Sequence, residues 1–360
     1  MRLEIYLFES KYHEPFTISL GTSMSTSNVI VRLLNEGLEG WGEASPSPRI
    51  LGDNIEEAVN TVEKLFKLLR DAKDLTPEIV YEKLKSVPGS PSGKAGFEMA
   101  FMDLWSKSIG SPLCKILGGY RRTIETDITI GIMDPEEQAK RALRYVEKGF
   151  RALKIKLGLN PELDIRRVKA VRDAVGEGIK IRVDANQGWS VEDAIRVINR
   201  ISGYDVELVE QPVRCDDLEG LASVKKESPI PIVADESVKT PEDAIKVIAK
   251  EGADVINIKL MKSAGIMGAV RIAYVTEAAG LENMIGCTGE SKIGITAAAH
   301  VALGLRNIRY YDLDSDMLIV EDPVSYGGIT GESERRISGG KGLGIEEVDM
   351  GKLKLLKRLS

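Results

Sequence analysis

The sequence predicts an α/β protein, a parallel β/α barrel preceded by a smaller α+β unit. From Glu125 onward, apolar runs that read as buried strands alternate regularly with helical stretches. Five motifs close successive runs in order: Lys154-Ile155-Lys156, Asp184-Ala185-Asn186, Glu210-Gln211-Pro212, Asp235-Glu236-Ser237 and Asn257-Ile258-Lys259. Their charged positions 156, 184, 210, 235 and 259 lie 28, 26, 25 and 24 residues apart, about the length of a strand, a helix and two short loops. Before residue 120 the order changes to strands first and helices after, the pattern of an α+β unit.

Taken in order, Arg2 to Phe8 alternates as a strand, and 29–34 with 39–43 reads as a hairpin. Thr22 to Ser27, small and polar, is expected to be a loop, as are 45–49 and 52–53. Helical patterns follow over 55–71, 76–86 and 93–109. Barrel strands are expected near 126–131, 152–156, 180–184, 205–210, 230–235, 254–259, 282–286 and 308–312, eight strands with seven helices between them. Asp134-Pro135, Asn160-Pro161 and Thr240-Pro241 each set a capping side chain before a proline at the first helical position, and Ser190 is a further cap. After Asp314 the rhythm stops, and the basic tail from Val348 is expected to return to the first unit. The expected division is a capping domain over 1–120, a catalytic barrel over 121–320 and a C-terminal segment over 321–360 packing back on the cap.

With 360 residues and 43% hydrophobic content the chain can bury a full barrel core. A net charge of −6 with both signs interspersed gives no basic face, so nucleic acid is not an expected partner. Cys114, Cys215 and Cys287 are too few and scattered for a disulfide framework or a thiolate metal site, which fits a cytoplasmic protein. Met1 to Ser10 lacks the charge and apolar runs of a signal peptide, and Ile293 to Leu305 is too short to span a bilayer, so no membrane association is expected.

Asp184, Glu210 and Asp235 offer hard oxygen ligands on three adjacent strands, with no histidine or cysteine nearby, a set suited to Mg²⁺. A lone acid at a strand end is more simply a helix cap; three in register favour a metal. Lys156 and Lys259 flank the trio, one unit outside it on each side, and would face each other across the ion, a base and an acid for proton exchange at one carbon. To act as a base a lysine must fall from about 10.4 towards about 7–8. Lys154, on the same strand face as Lys156, disfavours double protonation. The ion would hold a substrate carboxylate and stabilise the enediolate formed as the α-proton leaves.

With the Gly40-Trp41-Gly42-Glu43 hairpin, these motifs resemble the muconate lactonizing enzyme subgroup of the enolase superfamily. A lysine base beside Mg²⁺ is already a known arrangement of that superfamily. The resemblance covers the whole barrel and implies a modified TIM barrel, (β/α)₇β, with an α+β cap built from both termini. Tyr311-Asp312-Leu313-Asp314-Ser315 is similar to the Asp-x-Asp of dipeptide epimerases, which implies that Asp312 and Asp314 receive the substrate's α-ammonium; with Asp316 close by, an acidic loop is the plainer reading of these residues alone, and the other motifs favour the functional one. The stretch Ile285 to Ser291 is similar as well. The resemblance adds Thr129, Lys154, Gly289 and Glu290 as substrate contacts, and Asn186, Glu236 and Asn257 as residues behind the metal ligands. Glu290 reads equally as a helix-start acid, and Cys287 as a packed small residue.

The implied function is a dipeptide epimerase using one Mg²⁺ per subunit, which inverts the Cα of the C-terminal residue of an L,L-dipeptide by 1,1-proton transfer. Epimerases of Ala-Glu carry an arginine in the first cap loop where this chain has Gly21, so the resemblance implies a neutral or hydrophobic second residue. The alternative within the subgroup is an o-succinylbenzoate synthase, N-acylamino acid racemase or cycloisomerase. A Schiff-base aldolase using Lys156 and a non-catalytic binding barrel are the other classes. The mandelate racemase subgroup needs a histidine at the seventh strand; only His13 and His300 are present, and His300 lies in an apolar helix as a structural residue. A homo-oligomer is left open.

Overall fold

Three antiparallel strands open the chain, β1 (Arg2–Ile18), β2 (Gly21–Asn35) and β3 (Leu38–Ala44), in a computed structural model that describes residues 1–360. The apolar side chains Leu3, Ile5, Val29, Val31 and Leu33 are fully buried. Helices α1 (Ile55–Leu69), α2 (Pro77–Ser86) and α3 (Pro91–Ile109) follow, with side-chain caps from Asn54, Thr76 and Ser90. The Gly-Trp-Gly motif is explained here: a Cβ on Gly40 would lie 2.0 Å from the Ala100 carbonyl oxygen, and one on Gly42 2.1 Å from that of Gly96. Only glycine lets α3 lie directly on β3. The last strand, Leu353–Leu359, pairs antiparallel with β1, so both chain ends build this sheet.

The residues expected to be a loop at Thr22 to Ser27 are strand. They extend β2 beyond the sheet as the second arm of a long hairpin, with Phe16 opposite Ser23 and Ile18 opposite Gly21. Side-chain polarity misleads there because the arm's backbone groups are satisfied by β1 whatever the side chains are. The tip reaches the barrel, where Ser19 Oγ donates to the Asn186 carbonyl at 2.7 Å and the Ile132 N–H to that of Thr17 at 2.8 Å.

After a single turn, α4 (Leu113–Ile116), and a short strand, β4 (Ile124–Glu125), the barrel begins. Its strands are β5 (Ile128–Ile130), β6 (Ala152–Lys156), β7 (Lys180–Asp184), β8 (Val206–Glu210), β9 (Ile232–Ala234), β10 (Val255–Lys259), β11 (Glu282–Gly286) and β12 (Ile308–Asp312), all parallel and paired in sequence order. Between them run α5 (Pro135–Glu147), α6 (Pro161–Val175), α7 (Val191–Ile201), α8 (Leu218–Glu227), α9 (Pro241–Ala249), α10 (Ile266–Ala278) and α11 (Lys292–Gly304). The seam between β12 and β5 is closed by the Asp127 N–H on the Tyr311 carbonyl at 3.1 Å and the Thr129 N–H on Asp314 Oδ2 at 2.5 Å.

Two buried cap carboxylates dock on barrel helices. Helix α10 starts at Gly265, which offers no capping side chain, and Glu98 accepts the Ile266 and Met267 N–H groups at 2.8 and 2.9 Å. Glu43 accepts the Ser291 and Gly294 N–H groups of α11 at 2.9 and 2.8 Å. These interactions satisfy orphan donors and complement the helix dipoles. Burial pushes Glu98 up to about 7 and Glu43 to about 8 against the pull of those N–H groups.

His300 on α11 is structural, as its apolar setting suggested. Its Nδ1 accepts the Cys114 N–H at 2.9 Å, which makes Nε2, 3.1 Å from the Leu343 carbonyl, the donor. Burial lowers its pKa from 6.5 to about 4, so the unfolded chain binds a proton there first as pH falls. Stability is therefore lost between those values as pH drops, by about 3 kcal/mol. Denaturant unfolding of the parent and His300→Gln at pH 7.5 and 4.5 should show a smaller acid loss in the variant; equal losses would remove His300 as a cause.

Candidate active site

Strand register brings the charged motif residues to one end of the barrel. Lys156 pairs in register with Asp184, and Asp184 with Glu210, while Asp235 follows β9 by one residue and Lys259 ends β10. Ligand oxygens of Asp184, Glu210 and Asp235 lie within 4.8 Å of one another, all three residues buried. Lys156 Nζ is 2.5 Å from Asp184 Oδ2, and Lys259 Nζ is 2.7 Å from Asp235 Oδ2. Each lysine is thus paired with a different carboxylate of the trio, the two outermost in strand order.

Lys154 does more than repel Lys156. Its Nζ lies 2.6 Å from Asp312, 2.8 Å from Glu210 and 3.3 Å from Asp184, bridging the acidic ring to the Asp-x-Asp pair. Burial pulls its ammonium down, but Asp312, Glu210 and Asp184 outweigh this and hold it well above the ordinary value. Lys259, buried likewise, is held up mainly by Asp235. Burial and then the neighbouring Asp184 charge push Glu210 up to about 8. A cation among these oxygens would reverse that push.

The ring fits a hard divalent ion. Glu210 Oε2 and Asp235 Oδ1 are buried with no hydrogen bond, although a lysine ammonium lies within ion-pair distance of each. Three carboxylate oxygens at this spacing suit Mg²⁺. Side chains and backbone groups around the ring hold some of its oxygens. Asn257 donates to Glu210 at 2.8 Å, Asn186 donates to Glu236 at 3.1 Å, and the Asn186 N–H donates to Asp184 at 2.8 Å.

Asp312 and Asp314 lie across the barrel seam with Thr129, whose hydroxyl is 3.3 Å from Asp312. Burial would raise Asp312, but Lys154 and Lys156 hold it at about 2; burial and then Asp312 lift Asp314 to about 6. Cys287 Sγ is 3.5 Å from Asp314, and burial with the two carboxylates keeps it a thiol. Gly289 lines the cavity beside Lys156 and Lys259, with its carbonyl turned to Thr26 and Asn28 of the cap at 2.9 and 2.8 Å. Glu290 faces its own loop, accepting the Thr288 and Gly289 N–H groups.

Sequence reasoning missed the roles of several residues. Lys262 Nζ reaches Asp235 Oδ1 at 2.6 Å and the Asn257 carbonyl at 3.0 Å. Gln211, read only as part of a motif, accepts the Asp235 N–H at 2.9 Å. Asp316, taken as loop acidity, forms a buried two-pronged ion pair with Arg335, which also donates to the Leu313 carbonyl between the two aspartates. Arg49 lines the cavity beside Lys156 and Lys259. The first three depend on tertiary contacts that no local pattern reports.

The fold and this cluster define an α/β barrel with a lysine–carboxylate cluster gathered at the C-terminal ends of its strands. Residues 137–350 match the family model described as enolase C-terminal domain-like, and 2–118 that of the mandelate racemase/muconate lactonizing enzyme N-terminal domain. The chain belongs to this family, within the enolase superfamily. It is 42% identical to the L-Ala-D/L-Glu epimerase of Bacillus subtilis, over 96% of each chain, and 41% to the hydrophobic dipeptide epimerase of Enterococcus faecalis, over 93% of this chain and 95% of that one. The E. faecalis dipeptide epimerase structure, complexed with Mg and L-Leu-L-Tyr, aligns with a TM-score of 0.92 at 40% identity, covering 96% of this chain and 99% of that one. These relatives are isomerases, and the chain is placed among them. No helix is long and apolar enough to cross a membrane.

Mg²⁺ should raise the melting temperature of the protein through preferential binding to the folded state. Glu210→Gln, which keeps the side chain's shape and can still accept from Asn257, should lose most of the Mg²⁺-dependent rise. A rise as large as the parent's would exclude Glu210 as a ligand.

Proposed function

We propose that the protein is a dipeptide epimerase that exchanges the α-proton of the C-terminal residue, with one Mg²⁺ per chain held by Asp184, Glu210 and Asp235. The carrying observation is the placement of two opposite binding functions in one barrel mouth. A ring suited to a cation lies between two lysines, and Lys154 joins it to a second carboxylate pair. A bound divalent ion would supply positive charge for the substrate carboxylate and lower the cost of removing its α-proton. Lys156 and Lys259 then lie on opposite faces of the α-carbon, one taking the proton and the other returning it, with a cation on Asp235 offsetting the charge that otherwise holds Lys259 protonated. Asp312 and Asp314 hold the free ammonium, which fixes the dipeptide's length between two charged ends. The relatives' dipeptide activities support this reading.

The expectation of a neutral second residue rested on Gly21 alone. Arg49 now lies against Gly21, so that ground no longer supports an uncharged side chain.

In D₂O, incubation with L,L-dipeptides should place deuterium at the Cα of the second residue only. Asp312→Asn/Asp314→Asn should lower kcat/KM for a dipeptide about 100-fold or more, and should change turnover of N-succinylamino acids, which lack the ammonium, much less. Turnover of N-succinylamino acids or muconate with no dipeptide exchange would contradict the assignment.

A further inference from the structure

Relatives of nearly equal identity are named for different dipeptides, L-Ala-D/L-Glu in one and hydrophobic dipeptides in another, so the side chain taken here has to be read from this chain's own cavity. That reading rests on the epimerase function proposed above. A cavity of about 450 Å³ lies over the two lysines, between the hairpin tip, the 45–54 loop and the barrel mouth. Its lining contains three cations, Lys156, Lys259 and Arg49, and no carboxylate. Two of the three are already neutralised from below, by Asp184 and Asp235. Arg49 takes part in no ion pair or side-chain hydrogen bond.

Arg49, exposed on the 45–54 loop, reaches across to the hairpin tip. Its guanidinium lies over Gly21, where an added Cβ would come 2.5 Å from Nη1 and 2.7 Å from Cζ. Gly21 has φ +132°, which disfavours other residues independently. Any side chain at 21 would displace the guanidinium, so the bare hairpin tip and the arginine of the opposite loop act as one feature.

The direction of the substrate follows from the site. Its carboxylate belongs at the ring, its ammonium at Asp312 and Asp314, and its α-carbon between the lysines. The side chain of the epimerised residue is then left to enter the cavity towards Arg49, with Ile18 and Ile50 available to its methylenes. We infer that Arg49 is a specificity-determining residue that receives an anionic side chain on the C-terminal residue, so the preferred substrates are dipeptides ending in an acidic residue. A planar guanidinium with free donors matches a carboxylate in two-pronged fashion.

The test compares L-Ala-L-Glu with L-Ala-L-Gln, which differ in charge and little in shape, by α-proton exchange in D₂O. The parent should favour the glutamate substrate, and Arg49→Met should lower the ratio of the two kcat/KM values roughly 10- to 100-fold. Arg49→Lys should retain part of the preference, and Arg49→Glu should turn it towards L-Ala-L-Lys. A parent that exchanges L-Ala-L-Gln or L-Ala-L-Leu as well as L-Ala-L-Glu would overturn the role of Arg49 and leave the epimerase reading standing. Equal losses on both substrates in Arg49→Met would do the same. Failure to exchange any dipeptide would overturn both readings.

Discussion

The structure depends on a buried charge balance at the barrel mouth. Lys154, Lys156, Lys259 and Lys262 are all less than a tenth exposed, and so are Asp184, Glu210, Asp235 and Asp312. Isolated, each would be too costly to desolvate as an ion; each is tolerable because opposite charges lie within hydrogen-bonding distance. The parallel strands make this possible. Adjacent strands lie about 4.8 Å apart, so in-register residues at consecutive strand ends bring their carboxylates within reach of one cation. Removing one partner would leave a charge unpaired, which is why the ring is better suited to selecting ions and substrates than to adding stability.

The cap has a different task. Glu43 and Glu98 fasten it to the N-termini of two barrel helices, and Ser19 and Thr17 pin the hairpin tip over the opening. Reaction geometry is thereby assigned to rigid strands, while the wall of the side-chain cavity comes from a hairpin and a loop. Arg49 and Gly21 lie outside the elements that hold the lysines and carboxylates, so under the proposed function chemistry and specificity can vary separately.

The barrel was readable in the sequence because each strand, helix cap and charged terminus repeats on one length scale. All eight strands fall within two or three residues of their expected bounds, from Ile128–Ile130 to Ile308–Asp312. The ring and flanking lysines were readable for the same reason, since register turns sequence spacing into proximity. Thr22 to Ser27 was not, because a hairpin arm over a polar opening shows no apolar alternation. Lys262, Arg335 and Arg49 act across chain separations that no periodicity encodes. Gly21 showed that a side chain was missing; only the fold shows what fills its space.

The central claim is that Lys156 and Lys259 act on opposite faces of one α-carbon. The most direct measurement is α-deuterium incorporation into the separate L,L and L,D isomers of a dipeptide by Lys156→Ala and Lys259→Ala. The account predicts that neither variant inverts the centre, while each still exchanges the proton of one isomer, and that the two variants choose opposite isomers. Exchange of both isomers by a single variant, or the same isomer by both, would contradict it.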